Sequence, residues 1–238
     1  GDRLHGEDGA VIGGIAFISG MPVTVIGHQK GRSLDENVKH RFGMPNPEGY
    51  RKAVRLMKQA EKFNRPVITF VDTPGAYPGL EAEAGGQGEA IASCIAALGR
   101  LRTPVISVFI GEGGSGGALA FGVCDKVIML ENSVFSILSP EGFASILWKD
   151  SSRWRDACQL MKITAEDLKA LGICDKILPE PEGGAQEDKI AVFKAVRSEL
   201  EKSLEEFRGE SGAKLAEKRY RRLRNIGKNI DKRKADIG

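Results

Sequence analysis

Val105-Ile106-Ser107-Val108-Phe109-Ile110 runs straight into Gly111-Glu112-Gly113-Gly114-Ser115-Gly116-Gly117-Ala118-Leu119-Ala120. The apolar run reads as a buried strand, the glycines as a loop, and Ala118-Leu119-Ala120-Phe121 as the start of a helix. Five of the seven residues from Gly111 to Gly117 are glycine. Such a loop either takes φ > 0 or lets another group approach its backbone closely. A helix N-terminus behind it offers unpaired N–H donors and the positive end of the helix dipole. A phosphate, a carboxylate or a developing oxyanion would fit there.

The flanking sequence repeats the strand, turn, helix pattern and predicts an α/β fold. Residues 10–18 and 22–27 read as strands joined at Ser19-Gly20-Met21, a hairpin. Tyr50 to Phe63 carries apolar residues at helical spacing. Pro66 to Val71 is a buried strand that empties into Asp72-Thr73-Pro74-Gly75-Ala76-Tyr77-Pro78-Gly79, a rigid loop. Asp72 there reads as a local hydrogen-bond acceptor rather than a catalytic group. A helix over about 89–101, strands over 126–130, 133–138 and 173–178, and a helix around Phe143 to Trp148 follow. Thr164 reads as an N-cap and Gly172 as a helix stop. Pro179 to Gly184 is a linker, and 188–207 an amphipathic helix. The expected division is a domain over 1–187 and a helical, basic extension over 188–238.

The chain has 238 residues and a formal net charge of +3. Its four cysteines, Cys94, Cys124, Cys158 and Cys174, form no C-x-x-C pair, so a reducing compartment is expected and a structural zinc site in this chain is not. No stretch has the length of a transmembrane helix. The first residue is Gly, so an upstream segment is expected. Ten Lys and Arg lie between Lys214 and Lys234. With Tyr220 as the one aromatic among them, a solvated terminal helix is preferred over a nucleic-acid or membrane surface.

Gly113-Gly114-Ser115-Gly116-Gly117 fits G-x-S-x-G, which makes a serine hydrolase using Ser115 one reading. All three histidines, His5, His28 and His40, precede it, against the order that motif requires. A P-loop lacks its G-K-[ST], and a dinucleotide fold lacks its acidic residue. A non-catalytic RNA-binding or scaffold protein using the tail is a further alternative. An oxyanion hole without a protein nucleophile is favoured. Its donor sets would be Gly116-Gly117 and Gly75-Ala76. Lys30 and Arg32, on the loop His28-Gln29-Lys30-Gly31-Arg32, read as solvated cations or anion contacts.

Several of these segments resemble one family. Gly27-His28-Gln29-Lys30-Gly31-Arg32, Phe42-Gly43-Met44-Pro45, Glu48-Gly49-Tyr50-Arg51-Lys52-Ala53, Asp72 to Gly79, Gly111 to Ala120, Ser139-Pro140-Glu141-Gly142 and Ala144 to Lys149 are similar to the carboxyltransferase α subunit of bacterial and plastid acetyl-CoA carboxylase. The resemblance implies a crotonase-like spiral of β-β-α repeats. It implies transfer of a carboxyl group from carboxybiotin to acetyl-CoA, giving malonyl-CoA for fatty acid synthesis. It implies a β subunit with its own zinc in an α2β2 assembly, and biotin on a separate carboxyl carrier protein charged by a biotin carboxylase. The setting would be the bacterial cytoplasm or the plastid stroma. By matching positions, Gly116 and Gly117 would donate to the ureido oxygen of biotin. Gly75, Ala76, Gly113 and Gly114 would line the substrate site. Lys30 and Arg32 would position a substrate anion or the subunit interface, and Glu89, Ser115 and Tyr77 would be packing groups.

Overall fold

The computed structural model describes residues 1–228. The cations Lys232, Arg233 and Lys234 of the basic tail lie outside the described residues.

The chain opens with a hairpin, β1 (Val11–Ile18) and β2 (Met21–His28). Ser19 and Gly20 both have positive φ, the requirement of a two-residue primed turn. Met21 therefore pairs with Ile18 as the first residue of β2 rather than sitting in the turn. Next come α1 (Leu34–Lys39), a short 3₁₀ turn over Arg41–Gly43, and α2 (Pro47–Lys62). The last starts three residues before the expected Tyr50, because Pro47 is preset for the first helical turn. Then follow β3 (Val67–Thr73), α3 (Leu80–Ala84), α4 (Gln87–Arg100), β4 (Val105–Gly114) and α5 (Ser115–Gly122). The remainder is β5 (Lys126–Leu130), β6 (Val134–Ser136), α6 (Pro140–Trp148), α7 (Trp154–Met161), α8 (Ala165–Ala170), β7 (Lys176–Leu178), α9 (Lys189–Glu206) and α10 (Gly212–Asn225).

The main sheet runs in the order β1-β2-β3-β4-β5-β7, parallel except for the hairpin, and β6 pairs with the far end of β4. Parallel strands bury both faces, which explains their continuous apolar runs. Val67, Val71, Val105, Phe109 and Met129 point to one face, where they meet Tyr50, Met57, Cys94, Leu98 and Phe121 of the helices α2, α4 and α5. Ile68, Ile106, Val108 and Ile128 point to the other, against Val192, Val196, Leu200 and Leu204 of α9. The boundary expected at 187/188 runs alongside this second core: α9 is the layer that covers one face of the sheet. Helix α5 sits deep in the first core, with Ala118, Ala120 and Phe121 fully buried.

Helix α10 is also tied in. Arg219 is fully buried, and its guanidinium donates to Asp125 Oδ1 at 3.0 Å and to the carbonyls of Leu98, Leu101 and Thr103 at 2.7–2.9 Å. Arg222 donates to Asp175 Oδ2 at 2.6 Å and to the Ile173 carbonyl at 2.8 Å. The solvated terminal helix expected from the charge run is thus corrected for these two arginines. They satisfy carbonyls at the ends of α4 and near β7, which charge counting alone does not reveal.

Candidate functional site

The site lies where β3 and β4 end side by side. The glycines expected to form a loop continue β4 instead: Glu112, Gly113 and Gly114 pair with Val134, Phe135 and Ser136 of β6. The reason is space. A Cβ on Gly113 would lie 2.7 Å from the Phe109 ring and 2.9 Å from the Val134 carbonyl, so only glycine lets β6 approach. The strand then becomes α5 at Ser115 with no intervening loop. Ser115 has φ 52°, an uncommon region for a side-chain-bearing residue.

Two strand ends touch here. A Cβ on Gly114 would sit 1.9 Å from the Pro74 carbonyl oxygen, and one on Gly117 would sit 2.6 Å from Gly75 C and 2.7 Å from Ala76 N. The loop after β3 therefore rests directly on the first turn of α5. This brings Gly75, Ala76, Gly113, Gly114, Gly116 and Gly117 into one locus. Within it, the roles divide. The N–H of Gly75 donates to Thr73 Oγ1 at 3.1 Å, and the Thr73 hydroxyl donates to the Gly75 carbonyl at 2.7 Å. Gly75 is thereby a wall whose N–H is already used, and the open donor of that loop falls to Ala76. The first turn of α5 has no side-chain cap and no acidic residue. Its N–H groups, those of Gly116 and Gly117 among them, have no intrahelical acceptor.

Lys30 turns inward. Its ammonium sits 2.7 Å from Asp72 Oδ1 and 2.8 Å from Glu112 Oε2. These two carboxylates raise the Lys30 pKa against the opposing effect of burial, which is the largest single influence and lowers it. Arg32 is exposed, and its backbone N–H donates to Glu36 Oε2 at 2.7 Å. Asp72 is the local acceptor expected from its place before a turn, and it also takes the Glu112 N–H at 3.0 Å. Sequence reasoning missed Thr73, Glu112 and Gln87. Gln87 Nε2 bridges the carbonyls of Pro45 and Tyr77 at 2.8 and 2.9 Å, holding the loop over 74–79. The one signal was a lone polar side chain inside Gly85-Gly86-Gln87-Gly88.

No histidine among the described residues hydrogen-bonds Ser115. His28 is buried against Phe121, ring centroids 4.6 Å apart, with Nδ1 accepting the Asp72 N–H at 3.3 Å. Burial, and then the charge of Lys30, hold its pKa down to about 3 from 6.5. His40 Nδ1 lies 2.7 Å from the Gly9 carbonyl, and His5 is exposed. A nucleophilic serine needs an adjacent base. The site is thus a set of backbone donors that can stabilise negative charge on an oxygen.

A family model described as acetyl co-enzyme A carboxylase carboxyltransferase-like matches residues 1–227. The chain belongs to this family. An acetyl-coenzyme A carboxylase carboxyl transferase subunit alpha of Clostridium acetobutylicum is 62% identical over 231 residues, covering 97% of this chain and 84% of that protein. The corresponding subunit of Bacillus cytotoxicus is 56% identical, covering 95% and 70%. A Natranaerobius thermophilus protein named as subunits beta/alpha is 57% identical, with this chain matching 39% of its length. Among solved structures, a Pseudomonas malonate decarboxylase hetero-tetramer in complex with coenzyme A has TM-score 0.72 at 19% identity, covering 90% of this chain and 86% of that one. Transcarboxylase 12S has TM-score 0.69 at 20% identity, covering 83% and 36%. The chain has the crotonase-like α/β fold of these solved structures. The hydrolase and RNA-binding readings of this carboxyltransferase-family chain find no support. No helix among the described residues is long and apolar enough to cross a membrane.

Proposed function

We propose that this chain is the carboxybiotin half of an acetyl-CoA carboxyltransferase site, completed by a β subunit. The observation that carries the reading is the seating of the Gly75-Ala76 loop on the uncapped first turn of α5. The first turn of α5 offers backbone donors and no acidic side chain, which fits the ureido oxygen of biotin, an acceptor-only atom. Carboxybiotin, presented by a carrier protein, would supply the carboxyl group for acetyl-CoA. Gly116 and Gly117, with Ala76, would donate backbone N–H groups to the ureido oxygen as negative charge grows on it. The dipole of α5 adds to the same field. Gly113 and Gly114 keep β4 extended up to the turn at Ser115, which leads directly into those donors. No side-chain base is needed on this chain.

A partner subunit is favoured by a second observation. Ile137, Ile146, Leu147, Trp154 and Leu160, on and just before α6 and α7, are 40–69% exposed. Large apolar residues grouped beside a functional site mark an interaction surface. They follow β6, the strand that fixes the donor segment, so a docked β subunit would sit next to the donors.

The test is carboxyl transfer from malonyl-CoA to biotin by the co-purified complex. A Cβ at 117 collides with backbone, whereas a Cβ at 116 meets Ile91 Cγ2 at an ordinary 3.6 Å. Gly117→Ala is expected to lower kcat on the order of 10²-fold or more, the cost of losing an oxyanion donor, with Gly116→Ala and Ser115→Ala costing under about 10-fold. Equal losses at 116 and 117, or inactivation by Ser115→Ala alone, would overturn the reading.

A further inference from the structure

The pairing of β3 with β4 is regular up to Val71↔Phe109 and resumes at Thr73↔Gly113. Two steps along β3 thus span four along β4, leaving a bulge of extra residues around Ile110 to Glu112. Bulges re-aim the chain beyond them and concentrate beside functional sites. This one lies immediately before the donor segment, so its shape sets where the N–H groups at 116 and 117 point.

The bulge is filled by charge. Asp72 stands opposite it and accepts the Glu112 N–H at 3.0 Å. A Cβ on Gly111 would lie 2.5 Å from Asp72 Oδ1, so glycine at 111 is what admits the carboxylate. Lys30 then joins Asp72 Oδ1 at 2.7 Å to Glu112 Oε2 at 2.8 Å, linking the two strands across the bulge. The lysine is lodged rather than waving in solvent: its side chain is 28% exposed. Gly43, at φ 78°, closes over its stem, and a Cβ there would lie 3.0 Å from Lys30 Cγ.

We infer that Lys30 is a positioning residue: its bridge between Asp72 and Glu112 pins the β4 bulge and thereby fixes the aim of the backbone donors. The inference builds on the proposed oxyanion role. It replaces direct contact of Lys30 with a substrate anion, because the ammonium already has two carboxylates. Without the bridge, Asp72 and Glu112 face each other as like charges and the bulge loosens.

Hydrogen exchange and kinetics on the co-purified complex test this together. Lys30→Met is expected to speed exchange of the amides from Glu112 to Gly117 about tenfold, with the β5 amides unchanged, a local rather than global opening. In the transfer assay kcat falls by about 10–100-fold, as expected for slight misplacement of catalytic groups, while KM for biotin stays within about threefold. Lys30→Arg, which can still span both carboxylates, restores most of kcat. If Lys30→Met instead loosens the whole sheet, Glu112→Gln gives the same reading, because the Glu112 side chain is 57% exposed and loss of its charge leaves the core intact. Unchanged exchange at 112–117 in both variants overturns the inference. So does a raised KM at constant kcat, which would make Lys30 a substrate contact. Faster exchange in a complex whose wild type transfers no carboxyl group would sink the proposed function and leave the pinned bulge standing.

Discussion

At the residue scale, the decisive groups are those without functional side chains. Gly114 and Gly117 are required because two strand ends meet backbone to backbone, and Thr73 occupies the one N–H of Gly75. His28 is the residue most sensitive to conditions. Its imidazole is buried against Phe121, and its pKa falls from 6.5 to about 3. The unfolded chain therefore binds a proton that the folded chain does not, so stability rises with pH between these values. The contribution is whole above about pH 6.5 and is lost as pH falls toward 3. His28→Gln removes this dependence. The gap in urea-unfolding free energy between wild type and His28→Gln should shrink from about pH 7 to about pH 4, since both share every other titrating group. A gap that stays constant would show that His28 titrates normally.

At the scale of elements, the C-terminal helices matter more than their charge suggests. Arg219 of α10 is buried with Asp125 and three carbonyls. Removing one partner of such a set leaves the rest desolvated and unpaired. Arg219→Met should cost about 3–5 kcal/mol, read from denaturant unfolding, against about 0–1 kcal/mol for an exposed ion pair. A loss comparable to that of Arg221→Met, whose side chain is 74% exposed, would contradict this role of Arg219. Which elements are legible in the sequence follows from where their partners lie. Buried parallel strands such as Val105 to Ile110 announce themselves by continuous apolar character. The glycines after them do not reveal β6, because pairing with Val134 to Ser136 is a long-range event. Likewise Arg219 and Arg222 look the same as their exposed neighbours until the carbonyls they meet are in place. Gly75-Ala76 and Gly116-Gly117 were legible as two candidate donor sets, each following a buried strand; their contact was not, because it is a long-range event. Which N–H groups remain open was not, since that depends on the Thr73 hydroxyl.

At the scale of the whole molecule, the fold is proposed to deliver half of a reaction site. One sheet, covered by α2, α4 and α5 on one side and α9 on the other, seats the loop after β3 on the first turn of the largely buried helix α5. The proposed donors are on this chain. The surface proposed to bring the acyl acceptor is formed by the exposed apolar residues of α6 and α7, which follow β6, the strand paired with Glu112 to Gly114. The central claim is that these donors work only in company. It is tested most directly by titrating a purified β subunit into this chain and following carboxyl transfer from malonyl-CoA to biotin. The account predicts no transfer by the chain alone, and a rate that climbs with added β subunit and levels off at the equimolar point. Full transfer by this chain without a partner would contradict it.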